Sequence, residues 1–388
     1  MAPTPRSTTS STHHSSKHQR RTPYTKATKA TKTVAPQAYR QQNMQSACIY
    51  VDQAVELPPQ VDEYVRHVLG TTSWEDRVPI PDQLGSQRRF LDLAETFWSQ
   101  SRNSASKCAL EGDWQCNLYQ LVSTMAELSG GVLETNVSEK LWNPQLIGRL
   151  SSLDKSRNEA KEPTHTDSPG IDASVVMVTD LDPSESMSLC SHSNSVMSTA
   201  RTNVKSSSDI LTPKPDITMG LTHKAFTREH QRLLIDYQDR ELILSDPHAA
   251  VMGMRFPFMI AELKSIAPLS KAQNQAAVGG ACMLTILEDL AYQAARGTNL
   301  QAPPLTTAAD LPLVPVLCFS VVTEGPVHEL WVHFRREDGF HMVNLKIWRT
   351  TIRGHAEELV NCLGRITEWG KGHFKDRVLE MLGRVRNL

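Results

Sequence analysis

Phe256-Pro-Phe-Met-Ile-Ala-Glu-Leu-Lys264 is the stretch on which the reading of this chain turns. It is apolar apart from Glu262 and Lys264, which predicts a buried strand. Side chains on a strand alternate between faces, so Glu262 and Lys264 point one way while Met259, Ala261 and Leu263 point the other. Burying either charge unpaired is expensive, so packing alone gives no use for the pair. A divalent cation and a phosphate would give both charges a partner. Upstream, Pro213-Lys-Pro-Asp216 precedes the apolar run Ile217 to Leu221, which places a lone acid at the start of an earlier strand.

Working outward, residues 227–238 read as a helix between these two strands. A longer helix over 271–296 follows the second strand and carries Ala276, Ala277, Gly279, Gly280 and Ala281 in its first half. Such small side chains let a helix lie close on a sheet, while Leu284, Ile286, Leu287 and Leu290 fill the core. Three further strands are expected over 314–322, 329–335 and 340–347. The turns Glu324-Gly-Pro326 and Glu337-Asp-Gly339 between them predict an antiparallel meander. Helices at about 352–369 and 374–386 end the sequence.

The region 49–130 reads as a helical N-terminal extension capping this core. Val61 to Leu69 and Phe90 to Trp98 place apolar residues three and four apart, on either side of the turn-prone Pro79-Ile-Pro-Asp82. Ser138 reads as the N-cap of a further helix, with Trp142, Leu146, Ile147 and Leu150 on its apolar face. Glu139 stands in that helix's first turn, where it complements the helix dipole. Between 151 and 210 Ser, Thr and Asp dominate; Val175 to Val178 is a strand candidate, and 184–208 is expected to be a disordered insertion. Residues 1–46 hold almost no large apolar residues and are expected to form a disordered basic tail.

Charge is distributed unevenly. The whole chain of 388 residues carries −1, yet residues 1–51 hold eight Lys or Arg and no acid, leaving 33 basic against 42 acidic residues, or −9, in the rest. An acidic body argues against a general, always-on nucleic-acid binder. His18-Gln-Arg-Arg21 and the Lys26, Lys29, Lys32 repeat fit a nuclear-import signal or a phosphate-attracting arm. The seven cysteines are scattered and include no Cys-x-x-Cys pair, which fits an intracellular, reducing compartment. No run approaches the ~20 apolar residues of a membrane span, and no signal-peptide segment stands near the start. The expectation is therefore an intracellular protein with no membrane partner. The histidines show no metal-ligand spacing, and no phosphate-binding glycine loop is present.

The blocks Lys214-Pro-Asp-Ile-Thr-Met-Gly-Leu221, Leu244-Ser-Asp-Pro-His248, Phe256 to Lys264 and Ala272-Gln-Asn-Gln-Ala-Ala-Val-Gly-Gly-Ala-Cys282 occur in this order. Together they resemble the PD-(D/E)XK nuclease-like domains of filamentous fungi, over roughly residues 130–385. The resemblance implies an α+β, restriction-endonuclease-like mixed sheet flanked by helices, with the catalytic domain over 131–388. It implies a Mg²⁺ or Mn²⁺ site at Asp216, Glu262 and the carbonyl of Leu263. In that superfamily the helix before the first core strand sometimes adds a glutamate, and Glu139 stands where it would be expected. Lys264 would orient water or neutralise phosphate, and Gln275 would be the polar residue over the site. Gln273 lies about 200° away around the helix, so the two are not expected to face inward together. Asp246 is a rival ligand, but Asp-Pro is a turn former and the loop reading is the better one. The activity implied is metal-dependent hydrolysis of phosphodiester bonds, in DNA before RNA. The alternative is a catalytically silent protein of the same fold that acts as a binding module, which the acidic body favours.

Overall fold

The structure, a computed structural model, describes residues 34–52, 56–81, 87–137, 140–150, 210–249, 253–265, 267–298 and 315–385. At its centre is a seven-stranded mixed sheet. Its strands are β1 (Ile49–Asp52), β2 (Leu133–Asn136), β3 (Ile217–Thr222), β4 (Met254–Lys264), β5 (Cys318–Glu324), β6 (Val327–Arg336) and β7 (Gly339–Arg349). They lie in the order β1-β7-β6-β5-β4-β3-β2. β2, β3 and β4 pair antiparallel, β5 runs parallel to β4, and β5, β6 and β7 form an antiparallel meander. β1 closes one edge, parallel to β7.

The helices are α1 (Pro59–Leu69), α2 (Gln87–Ser106), α3 (Glu111–Glu127), α4 (Arg228–Asp239), α5 (Leu269–Thr298), α6 (Arg353–Trp369) and α7 (Lys375–Val385). A parallel pair cannot be joined by a tight turn, and α5 supplies the crossover from β4 to β5. Among the described residues no helix is long and apolar enough to cross a membrane.

β4 is buried at every position but its last, as a strand covered on both faces requires. Met259 and Ile260 are successive residues and point to opposite faces. On the Ile260 face lies α5. A Cβ built on Gly279 would stand 2.5 Å from Ile260 Cδ1, and one on Gly280 would collide with the His333 ring. The glycines therefore permit the close approach that the small-residue stripe predicts. On the other face Met219, paired with Met259, receives the Thr367 hydroxyl of α6 at 4.0 Å. Each fully buried Leu, Ile, Val or Phe in these layers contributes ~1.5–3 kcal/mol relative to exposure.

Several sequence expectations shift. The strand expected over 314–322 begins at Cys318. β1 is an edge strand inside the span 49–130 read as helical, and β2, the other edge strand, lies just beyond that span where no strand was expected. Residues 36–46, expected to belong to the tail, are helical, and Met44 is buried. This segment is pinned by side chains: Arg40 Nε and Nη2 donate to Asn274 Oδ1 and Gln273 Oε1 at 2.8 and 3.0 Å. Trp142 is not on the helix assigned to it but bridges to His248; the helix begins after Asn143, whose Oδ1 accepts from Gln145 N at 3.0 Å. Ser138, Glu139, the 175–178 run and the 184–208 insertion lie outside the described residues.

Candidate functional site

β4 ends on Glu262, Leu263 and Lys264 with β3 beginning beside it. Ile217 and Ala261 are the last paired residues, so Asp216 stands one step further, opposite Glu262. A side chain continues the ladder there: the Leu263 N–H donates to Asp216 Oδ2 at 2.7 Å. The first turns of α3 add a third carboxylate. Lys264 Nζ donates to Glu111 Oε1 at 3.3 Å, and Gln115 Nε2, one helical turn on, donates to the Asp216 carbonyl at 3.1 Å. Lys264 Nζ also reaches Asp216 Oδ2 at 3.5 Å and donates to the carbonyl oxygen of Leu263.

Glu262 is 1% exposed, and among the described residues neither of its carboxyl oxygens has a hydrogen-bond partner. Burial, followed by repulsion from Asp216 and Glu111, holds its pKa well above the ordinary carboxylate value; Lys264 offsets this only in part. Burial also raises Asp216, against the opposing pull of the Leu263 N–H and the Lys264 ammonium. Burial pulls Lys264 down, but the carboxylates of Asp216, Glu262 and Glu111 outweigh it and raise the ammonium's pKa. The result is a buried cluster with more acid than base, in which one acid lacks any donor.

Gln275 lies one turn before Gly279 on the same stripe of α5, and Gly279 rests on Ile260, two residues before Glu262. This directs Gln275 toward the end of β4, and its Oε1 is buried with no partner among the described residues. Gln273 is buried too, against expectation. Its Nε2 donates to Glu329 Oε2 at 2.9 Å on β6, while the 36–44 segment covers the remaining side of the helix start. Gln273 thus faces β6 and the 36–44 segment, while Gln275 is half-buried.

Asp246 does not enter the cluster. It is fully buried, accepting from the His248 N–H at 3.1 Å, His248 Nδ1 at 2.8 Å and the Gly253 N–H at 2.9 Å. That is the bonding of a loop anchor. Glu139 lies outside the described residues, and the helix immediately before β2 is α3, so the residue missed in the sequence is Glu111. A signal was there: Glu111 and Gln115 stand four apart and share one face of a helix whose Trp114, Leu118, Leu121, Val122 and Met125 form the buried face.

Among the described residues no group of three or more His, Cys, Asp or Glu side chains is arranged to hold a metal ion. The donors available to one are two carboxylates, Asp216 and Glu262, and the Leu263 carbonyl. All are hard oxygen ligands of the kind Mg²⁺ and Mn²⁺ take.

The family described as a domain of unknown function (DUF7924) matches residues 174–361. The match takes in Asp216, Glu262, Lys264 and Gln275 and leaves Glu111 outside. No curated protein and no solved structure matches the chain.

Proposed function

We propose that this chain is a metal-dependent nuclease of the PD-(D/E)XK type that hydrolyses phosphodiester bonds in DNA. The observation that carries the reading is Glu262: a wholly buried carboxyl with two unpartnered oxygens beside Asp216 and Lys264. A buried acid without a donor is costly unless something else uses it. The order of elements supports the same reading. A helix carrying an acid precedes three antiparallel strands, with the acid-Glu-x-Lys set on the second and third, followed by a crossover helix and a parallel strand.

Asp216, Glu262 and the Leu263 carbonyl fit a Mg²⁺ or Mn²⁺ ion. The donors are hard oxygens, and the orphaned Glu262 gains a counter-charge. Such an ion supplies Lewis acidity toward a phosphate oxygen and lowers the pKa of water. This chain's own residues do the rest. Lys264 presents a compact positive charge to the phosphate, where charge develops during in-line displacement. Gln275 offers a carboxamide to hold a water or a phosphate oxygen. Gln115 and the Leu263 N–H fix the Asp216 backbone and carboxylate in place.

The test is incubation of the purified full-length protein with plasmid and oligonucleotide DNA in Mg²⁺ or Mn²⁺, beside Lys264→Ala. The wild type is expected to cleave, and Lys264→Ala to fall by about 10²-fold or more, the scale of losing one charge-stabilising group. Equal cleavage by both identifies a contaminant and overturns the reading. No cleavage by either leaves the binding-module alternative.

A further inference from the structure

We infer that Lys264 also holds the site closed: its ammonium bonds the oxygens a divalent cation needs, so the cation binds only when Lys264 swings away toward Glu111. The inference rests on the metal-dependent reading above and deepens it. An ammonium has three N–H donors and no acceptor. The structure gives Lys264 three acceptors, the Leu263 carbonyl, Glu111 Oε1 at 3.3 Å and Asp216 Oδ2 at 3.5 Å. Its bonding capacity is filled, and two of the three acceptors are the oxygens expected to hold the ion. A Mg²⁺ ion requires its ligand oxygens at about 2.0–2.1 Å in near-octahedral array. With Lys264 Nζ on the Leu263 carbonyl and on Asp216 Oδ2, a like charge stands where the ion would bind, and that repulsion opposes the ion until the ammonium moves away.

The geometry also supplies the place to go. Glu262 is buried and Asp216 is tethered to the Leu263 N–H, so neither acid is free to move. Glu111 belongs to the first turn of α3, and its side chain is 43% exposed against 10% for Lys264. It already shares the ammonium. Rotation of the four-carbon stem toward it frees the Leu263 carbonyl and Asp216 together while leaving the positive charge at the rim, where a phosphate arrives. The same lysine is then a plug before the ion binds and a phosphate contact afterwards.

Chemical reactivity of the amine tests this without any assay of cleavage. Full-length protein is reductively methylated with formaldehyde and cyanoborohydride, with and without Mn²⁺, and each lysine is read by mass spectrometry. Mn²⁺ is expected to speed labelling of Lys264 several-fold and to leave Lys346, paired with Glu358 at 2.6 Å, unchanged. Labelling of Lys264 that is unchanged or slowed while Mn²⁺ is bound overturns the plug and leaves the metal site standing. Electron paramagnetic resonance on the same samples measures the Mn²⁺ taken up. If the wild type binds no more than Glu262→Gln, the metal reading itself fails, and the plug with it. In a second arm, Lys264→Met keeps the stem without the charge and is expected to bind Mn²⁺ several-fold more tightly than the wild type. Equal or weaker binding contradicts the competition.

Discussion

Glu262 and Glu329 lie in one row on the face of the sheet that α5 covers, with Val322 between them. Both are buried, at 1% and 5% exposure, and burial is the first cause raising the pKa of each. They differ in what surrounds the carboxylate. Glu329 Oε2 accepts from Gln273 Nε2 at 2.9 Å and Trp331 Nε1 at 3.0 Å, and the charge of Arg40 stands near. Neither oxygen of Glu262 accepts anything among the described residues. The first acid is satisfied by its own fold and belongs to the architecture. The second weakens the fold where it stands, as a group held for the proposed metal ion would.

The largest effect should separate these two acids. Glu329→Ala leaves the Gln273 and Trp331 donors without their acceptor. It is expected to cost roughly 2–5 kcal/mol, at about 1–3 kcal/mol for each buried donor left unmade, read as a lowered urea midpoint. Glu262→Gln is expected to cost nothing at neutral pH and to raise Tm by about 2–4 °C, as ~1 kcal/mol does in a domain of this size. The sign follows from the raised pKa: the fold favours the protonated form. That contribution is complete below the ordinary carboxylate value and is lost as pH rises through the raised one. The gap between wild type and Glu262→Gln should therefore widen from acid toward neutral pH. Equal destabilisation by the two substitutions would erase the distinction.

A smaller effect acts on both acids at once. Gly279→Ala places a methyl 2.5 Å from Ile260 Cδ1 and should lift α5, costing about 1–3 kcal/mol by overpacking. Because α5 carries both Gln273 and Gln275, thermal stability and Mn²⁺ affinity should fall together in this variant.

His328 and His333 extend the comparison to bases that the fold satisfies. Burial pushes each down to about 3, and each is hydrogen-bonded, His328 to Thr323 at 3.0 Å and His333 to Ser320 at 2.8 Å. A base held neutral in this way stabilises the fold above its ordinary pKa. That stability is lost as pH falls from about 6.5, at ~1.4 kcal/mol per pH unit and histidine, down to about 3. Urea midpoints across that window should drop, and His333→Gln should flatten the slope. The smallest effect on stability belongs to Gln275→Ala, expected within ~0.5 kcal/mol because its Oε1 makes no bond to lose. Mn²⁺ affinity, measured by calorimetry, should weaken more clearly than stability does.

Much of the central fold was legible because β4 and α5 carry strong, unambiguous patterns. An apolar run ending in Glu-x-Lys, and a helix with Gly279 and Gly280 amid alanines, each admit few structures. The edges were not legible. Ile49-Tyr-Val-Asp52 and Leu133-Glu-Thr-Asn136 are four-residue strands, too short for periodicity to register, and their pairing is set by distant partners. Residues 36–46 looked like tail because their order comes from side chains reaching Asn274 and Gln273, contacts more than 230 positions away in the chain. Glu262 and Lys264 could be named from strand alternation, and Asp216 from its place before an apolar run together with the PD-(D/E)XK resemblance. For Glu111 the helical spacing with Gln115 marked a face, but only the folding of α3 across the end of β4 brings that face to Lys264. The raised pKa of Glu262 likewise needs the whole sheet and its covering helices, for no local pattern encodes complete burial.

Anomalous scattering from crystals of the full-length protein soaked in Mn²⁺ decides whether Glu262 serves a metal ion. A peak bounded by Asp216, Glu262 and the Leu263 carbonyl is expected, with Lys264 turned toward Glu111. A peak elsewhere, or none with Glu262 still unpartnered, would contradict that role.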